Sequence, residues 1–277
     1  MRVPRRLLLG FVCAAVAVLA GCGGDKAASK PSPLPETLQD RFAYDAEAPL
    51  DVRRQSRVHA AHATVDSITY AAPGGRVPAL LIVPERDEKR AGVIFMHGYG
   101  GSRSDFLEEG VGVSLLGADV LTITSPFELS QGRPGSLMVR NVVDLRRAID
   151  LLLERDDVDP KRIALVGYSL GAQAAALTAG VEDRLAGVIL QAPPSHLDGA
   201  DSSYDTIRYI RHAEPARLYF QGATYDEGVP ARGLQALIAA APGTPEYKWY
   251  DTSHSFEALT FRDQVAWLRD RLGLRRR

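Results

Sequence analysis

Short apolar runs alternate with longer amphipathic segments over most of the chain. The apolar runs predict β-strands and the amphipathic segments predict helices. Residues 93–96 and 163–166 are wholly apolar, which is typical of strands buried on both faces of a parallel sheet. The predicted strands cover residues 63–70, 77–83, 92–96, 119–124, 162–166, 187–191, 216–220 and 246–250.

The amphipathic segments predict helices between these strands. In residues 138–154 an apolar stripe recurs at steps of four and three residues, the spacing of one helix face. Asp144 lies beside this stripe, and we interpret it as a solvated or salt-bridged helix residue. Further helices are expected over residues 229–240 and 256–272. Alternating strands and helices predict an α/β fold, with a mostly parallel sheet covered on both faces.

The first residues have the pattern of an export signal. Arginines precede an apolar stretch over residues 7–20, which is too short to span a bilayer comfortably. It ends in Leu19-Ala20-Gly21-Cys22, which resembles the bacterial lipobox. We therefore expect residues 1–21 to be a lipoprotein signal peptide and Cys22 to be acylated, for example with palmitate. The alternative is an ordinary secretory signal with an incidental cysteine.

Acylation at Cys22 predicts a protein anchored to the cell membrane on its extracytoplasmic face. Residues 22–40 include three prolines and few apolar residues, so we expect a flexible tether there. Residues 41–277 then form the folded domain. Its only candidate thiols, Cys13 and Cys22, precede it, which excludes a cysteine nucleophile. A formal net charge of −1 gives no reason to expect nucleic acid as a partner.

The main chemical motif is Gly167-Tyr168-Ser169-Leu170-Gly171. It follows a predicted buried strand and precedes a segment rich in alanine. A serine on a sharp strand-to-helix turn exposes its hydroxyl, and glycines two residues before and after it leave room for the turn. Ser169 is therefore our candidate nucleophile.

A glycine-rich loop, His97-Gly98-Tyr99-Gly100-Gly101, follows the predicted strand 92–96. Glycines allow backbone N–H groups to approach a reacting carbonyl oxygen, and we expect the N–H groups of Tyr99 and Leu170 to form an oxyanion hole. A dinucleotide-binding G-x-G-x-x-G pattern fails because its last position is Arg103. His97 itself is expected to shape the loop.

A serine hydroxyl needs a base to accept its proton. His254 follows the last predicted strand, where the chain order serine, acid, histidine requires the base. The acid should follow the strand 216–220, and Asp226 is preferred there, with Glu227 as the alternative. His59 and His62 are interpreted as exposed residues, because no cluster of further ligands completes a metal site.

Together these motifs resemble the α/β-hydrolase superfamily, in particular its dienelactone-hydrolase-like and prolyl-oligopeptidase-like single-domain serine esterases. The resemblance implies an eight-stranded, largely parallel sheet and hydrolysis through an acyl-enzyme, with no metal or organic cofactor. Many relatives carry an Asp and glycines where this chain has Ser125-Pro126, so a relative's substrate preference is not transferred. The short stretch 192–215 predicts a minimal cap.

The resulting hypothesis is a carboxylesterase in which Ser169, His254 and Asp226 act on a small or extended ester. A serine peptidase or amidase on the same fold is the first alternative. A binding lipoprotein that has lost catalysis is the second.

Overall fold

The computed structural model describes residues 32–60, 62–126, 134–196, 204–256 and 258–275. The predicted signal peptide, residues 1–21, and Cys22 lie outside these ranges. Within them, no helix combines the length and apolar character that crossing a membrane requires.

The described strands form one sheet in the spatial order β1-β2-β3-β5-β4-β6-β7-β8-β9. Pairing is antiparallel from β1 to β3 and between β3 and β5, and it is parallel from β5 across to β9. The strands are β1 (Arg53–Ala60), β2 (Ala63–Ala72), β3 (Gly75–Pro84), β4 (Arg90–Met96), β5 (Ala118–Ile123), β6 (Val158–Tyr168), β7 (Gly187–Gln191), β8 (Leu218–Ala223) and β9 (Glu246–Tyr250).

All the predicted strands are present, and the mostly parallel sheet is confirmed. Strand β1 was not predicted, so the described sheet has nine strands where eight were expected. Every residue of β1 is exposed, and it pairs only with β2, at the edge of the sheet. An exposed edge strand buries no apolar side chains, so it leaves no hydrophobic pattern in the sequence.

Helices cover both faces of the sheet. Apolar residues of α3, α4, α5 and α6 share one buried cluster with the sheet, and those of α7 belong to a second cluster with Val113 of α2. The helices are α1 (Glu36–Gln39), α2 (Leu107–Ser114), α3 (Pro134–Leu153), α4 (Leu170–Val181), α5 (Thr206–Ile210), α6 (Ala231–Ala240) and α7 (Ala258–Leu272).

The end of the expected flexible tether is folded against the domain. Leu38 of α1 is 7% exposed and Phe42 is fully buried. The Tyr209 hydroxyl donates to the carbonyl oxygen of Leu38 at 3.4 Å. Over residues 36–40 the structure thus differs from the predicted flexible tether. The proline-rich composition around Leu38 did not indicate that this side chain would be buried in the core.

The stretch predicted to form a minimal cap contains the five-residue helix α5. Residues 197–203 of this stretch lie outside the described residues. The sheet positions the site through its parallel half, where strands β4, β6, β8 and β9 all end at the same edge. Loops after these strands carry His97, Ser169, Asp226 and His254.

Candidate active site

Ser169 lies on a tight turn between β6 and α4. Its backbone has φ 53° and ψ −121°, a region that residues other than glycine seldom adopt and that costs about 1–3 kcal/mol. The backbone N–H of Ser169 donates to the carbonyl of Gln191 at 2.9 Å, and its carbonyl accepts from the N–H of Gln173 at 3.0 Å. These bonds fix the strained turn, which leaves the serine hydroxyl at the start of a helix.

The flanking glycines are required by close backbone packing. A Cβ atom on Gly171 would lie 2.3 Å from the carbonyl oxygen of His97, and one on Gly167 would lie 2.5 Å from the carbonyl oxygen of Gly171. Both separations are far below van der Waals contact, and backbone atoms cannot move aside cheaply. The G-x-S-x-G spacing thus reflects the packing of α4 against β4 and β6.

Ser169, His254 and Asp226 form a continuous hydrogen-bonded chain. The Nε2 atom of His254 lies 3.0 Å from the Ser169 hydroxyl oxygen, and its Nδ1 atom lies 2.8 Å from Oδ2 of Asp226. A carboxylate only accepts, so Nδ1 carries the proton and donates to Asp226. Nε2 is then free of hydrogen and can accept the serine proton.

The two neighbouring acids, Asp226 and Glu227, differ in position. The side chain of Asp226 is 1% exposed, and its Oδ1 accepts from the backbone N–H groups of Gly228 at 2.9 Å and Val229 at 2.7 Å. Glu227 is exposed. Of the two, Asp226 contacts His254: its Oδ1 accepts from backbone N–H groups before α6, and its Oδ2 lies 2.8 Å from the imidazole Nδ1.

Tyr168, the last residue of β6, contacts His254, a contact that the sequence did not suggest. Its hydroxyl donates to the backbone carbonyl of His254 at 3.0 Å, and the two rings lie 5.2 Å apart between centroids. Burial, together with the negative charge of Asp226, raises the pKa of Tyr168. The phenol therefore stays protonated and keeps its donor.

The glycine-rich loop lies against the serine. A Cβ atom on Gly98 would be 3.1 Å from the Cβ of Ser169. His97 is 2% exposed, and its Nδ1–H donates to the carbonyl of Gly98 at 2.7 Å. Tyr99 is 65% exposed at the loop surface, while Leu170 is the first residue of α4. Their expected role as oxyanion donors stays a prediction.

The full burial of one charged residue near this loop was not predicted. Asp144 is fully buried, which contradicts the solvated alternative, although Arg140 lies 3.7 Å away as an ion-pair partner. Its Oδ2 lies 2.7 Å from the Ser125 hydroxyl. Its position beside the apolar stripe of α3 was the only signal in the sequence.

Among the described residues, no cluster of three or more His, Cys, Asp or Glu side chains could hold a metal ion. His59 and His62 are exposed, as expected.

Comparison with known proteins identifies the family of the chain. A model of the family described as "Alpha/beta hydrolase family" matches residues 93–276. The chain belongs to the alpha/beta hydrolase family. The matched region of this hydrolase begins within β4 and includes Ser169, Asp226 and His254. No curated protein matches the chain.

Solved structures show the same fold at low sequence identity. The acetyl xylan esterase from Paenibacillus sp. R4 has a TM-score of 0.72 and 17% identity, covering 88% of this chain and 97% of that one. Acetyl xylan esterase 1 from Thermoanaerobacterium sp. JW/SL YS485 gives 0.72 and 14%, covering 87% and 96%. The S-formylglutathione hydrolase from Agrobacterium tumefaciens gives 0.66 and 18%, covering 80% and 100%.

Proposed function

We propose that this alpha/beta hydrolase is a serine carboxylesterase that works through an acyl-enzyme. The observation that carries the proposal is the continuous hydrogen-bonded chain from Ser169 through His254 to Asp226. The ester class is further supported by the fold similarity to proteins named as acetyl xylan esterases.

In the first half-reaction, the Ser169 hydroxyl oxygen attacks the ester carbonyl carbon while His254 Nε2 takes its proton. Asp226 stabilises the imidazolium and keeps it oriented. The resulting tetrahedral oxyanion lies near the N–H groups of Tyr99 and Leu170, and each such donor contributes about 10²–10³-fold to turnover. His254 then gives its proton to the leaving alcohol, which leaves the acyl group on Ser169.

In the second half-reaction, water replaces the alcohol. His254 Nε2 takes a proton from water as its oxygen attacks the acyl carbon, and the same N–H groups bind the second oxyanion. Collapse of this intermediate returns the proton to Ser169 and releases the carboxylic acid. The cycle needs no cofactor.

The direct test is Ser169→Ala in purified protein, with p-nitrophenyl acetate as substrate. We expect turnover to fall by about 10⁴-fold or more, and a fluorophosphonate probe to label the wild-type protein at Ser169 only. Ser67→Ala, a substitution on strand β2, is the matched control and should keep full activity. Undiminished turnover in Ser169→Ala would refute the proposal.

The alternatives make different predictions in the same assays. A peptidase or amidase would release p-nitroaniline from short amides at a rate rivalling ester cleavage. A binding protein without catalysis would not react with the fluorophosphonate probe, because covalent labelling requires an activated serine. Neither alternative has an observation in its favour that the esterase lacks.

We also propose that the mature protein is anchored to the extracytoplasmic face of the cell membrane through lipid on Cys22. The support is the lipobox-like sequence ending at Cys22. Mass spectrometry of the N-terminal peptide from protein expressed in a bacterial host tests this. A diacylglyceryl adduct is expected on Cys22 and should be lost in Cys22→Ala.

A further inference from the structure

A compact group of polar side chains is buried beside the glycine-rich loop. It consists of Ser125, Asn141 and Asp144, which are 1%, 0% and 0% exposed. We call it the Ser125 cluster. Ser125 follows strand β5, and the other two residues belong to helix α3. The Ser125 hydroxyl oxygen lies 2.6 Å from Oδ1 of Asn141 and 2.7 Å from Oδ2 of Asp144.

The hydrogen bonds of the Ser125 cluster are compatible with two protonation states of Asp144. A serine hydroxyl carries one proton, so it cannot donate to both neighbouring oxygens. With Asp144 ionised, Ser125 donates to the carboxylate, and the Asn141 amide turns to present its NH₂ group to the serine oxygen. With Asp144 protonated, the carboxyl donates to Ser125, which donates to Asn141. In both cases the Ser125 side chain is held between two partners on α3.

The same residue holds the glycine-rich loop through its backbone. The Ser125 N–H donates to Nε2 of His97 at 3.2 Å, and His97 donates from Nδ1 to the carbonyl of Gly98 at 2.7 Å. Burial lowers the pKa of His97, so the ring stays neutral and keeps one donor and one acceptor. Each of its nitrogens is thus assigned to a fixed partner.

The orientation of Gly98 determines that of the next N–H. The described chain has no cis peptide bond, and in a trans peptide the C=O and the following N–H point in opposite directions. Because the Gly98 carbonyl points to the His97 ring, the Tyr99 N–H points away from that ring. A chain of hydrogen bonds therefore runs from Asp144 through Ser125 and His97 to the Gly98 carbonyl. It fixes the direction of the Tyr99 N–H, the proposed oxyanion donor.

We propose that Asp144 and Ser125 are positioning residues that hold the Tyr99 N–H in the direction required to bind the oxyanion. This inference rests on the proposed function. Neither side chain touches the reacting atoms, and both act through His97. A donor fixed before the reaction stabilises the transition state without a reorganisation cost, so loss of the cluster should lower kcat and leave KM nearly unchanged.

Three substitutions test this with p-nitrophenyl acetate. Ser125→Ala and Asp144→Ala should each lower kcat about tenfold or more, since they free the loop that carries one oxyanion donor. Asp144→Asn keeps an acceptor for the serine hydroxyl and should retain kcat within about threefold of wild type. The Ser125→Ala/Asp144→Ala double variant should be no slower than the slower single variant, because both residues act along one path.

Asp150→Asn is the matched control. Asp150 is a 7% exposed carboxylate on the same helix, and it pairs with Arg147 and Arg184 instead of the loop. We expect this variant to melt earlier but to keep its kcat per folded molecule. Thermal melts followed by circular dichroism give the folded fraction of every variant. If Asp144→Ala does not fold, the kcat of Ser125→Ala alone tests the inference.

Two results would overturn the inference, and they can be told apart. A lower melting temperature with unchanged kcat in Ser125→Ala and Asp144→Ala would mean that the cluster only stabilises the fold. Wild-type turnover that survives Ser169→Ala would mean that the proposed function itself has failed.

Discussion

The hydroxyl of Tyr168 donates to the backbone carbonyl of His254 at 3.0 Å, so the residue before Ser169 in the chain also holds the loop that carries His254. The end of β6 therefore determines the positions of both Ser169 and the His254 loop. A shift of the His254 loop would have to break this bond before it separated His254 Nε2 from the Ser169 hydroxyl oxygen.

Tyr168→Phe is expected to lower kcat about three- to tenfold, because loss of one hydrogen bond loosens the loop by about 1 kcal/mol. Steady-state kinetics with p-nitrophenyl acetate measures the change. Tyr44→Phe removes a comparable bond to Asp150, outside the Ser169–His254–Asp226 chain, and should leave kcat unchanged. Equal kinetics in the two variants would show that Tyr168 does not hold the base.

The acid can be tested against its neighbour. Asp226→Asn should lower kcat by about 10⁴-fold, because an amide can stabilise the wrong tautomer of His254 and does not stabilise the imidazolium. Glu227→Gln, one residue away and exposed, should stay within twofold of wild type. The comparison uses kcat at a fixed pH. A large loss of kcat in Glu227→Gln, with little loss in Asp226→Asn, would mean that Glu227 and not Asp226 is the acid.

Two glycines near the site should differ in their tolerance of a methyl group. Gly171→Ala would place Cβ 2.3 Å from the carbonyl oxygen of His97, whereas Gly228→Ala would meet nothing closer than 3.6 Å. We expect Gly171→Ala to unfold at much lower temperature and to lose activity, and Gly228→Ala to keep both. Thermal melts and initial rates measure this, and a stable, active Gly171→Ala would contradict the packing described for the turn.

The buried carboxyl of Asp144 predicts a pH-dependent stability. Burial raises its pKa to about 6, an effect that the Ser125 hydroxyl and the charge of Arg140 partly offset. An unfolded aspartate loses its proton near pH 4. Between these values the folded protein binds more protons than the unfolded chain, so this group's contribution to stability falls as pH rises and remains lost above pH 6.

Asp144→Asn removes this titration. Its free energy of unfolding relative to wild type should therefore increase by about 2–3 kcal/mol between pH 4 and pH 8. Urea denaturation at both pH values measures the difference. A constant difference across that range would mean that Asp144 titrates alike in the folded and unfolded states.

The parts of the fold and site that could be predicted are those with strong local patterns. Apolar runs located the parallel strands, and the order of motifs located Ser169 and His254 at strand ends. The sequence could not decide between Asp226 and Glu227. The two residues are adjacent, and the conformation of the loop determines which of their side chains points toward His254. That direction is fixed by the backbone N–H groups of Gly228 and Val229.

The residues that were missed depend on contacts between distant segments. Asp144 has the charge of a surface helix residue, and its burial follows from Ser125, a residue on the loop after another strand. Every residue of strand β1 is exposed, so only its pairing with β2 reveals it. Such features depend on contacts with residues distant in sequence, and local propensity and periodicity carry no information about those contacts.

The composition of strand β1 has a consequence for how copies of this protein meet. Its outer side lacks a described partner strand, and it carries Arg53, Arg54 and Arg57, three guanidinium groups that share only two carboxylates, Asp51 and Asp66. Two such edges brought together would align guanidinium groups that repel each other. We therefore expect the charge of this edge to oppose growth of the sheet from one molecule into the next.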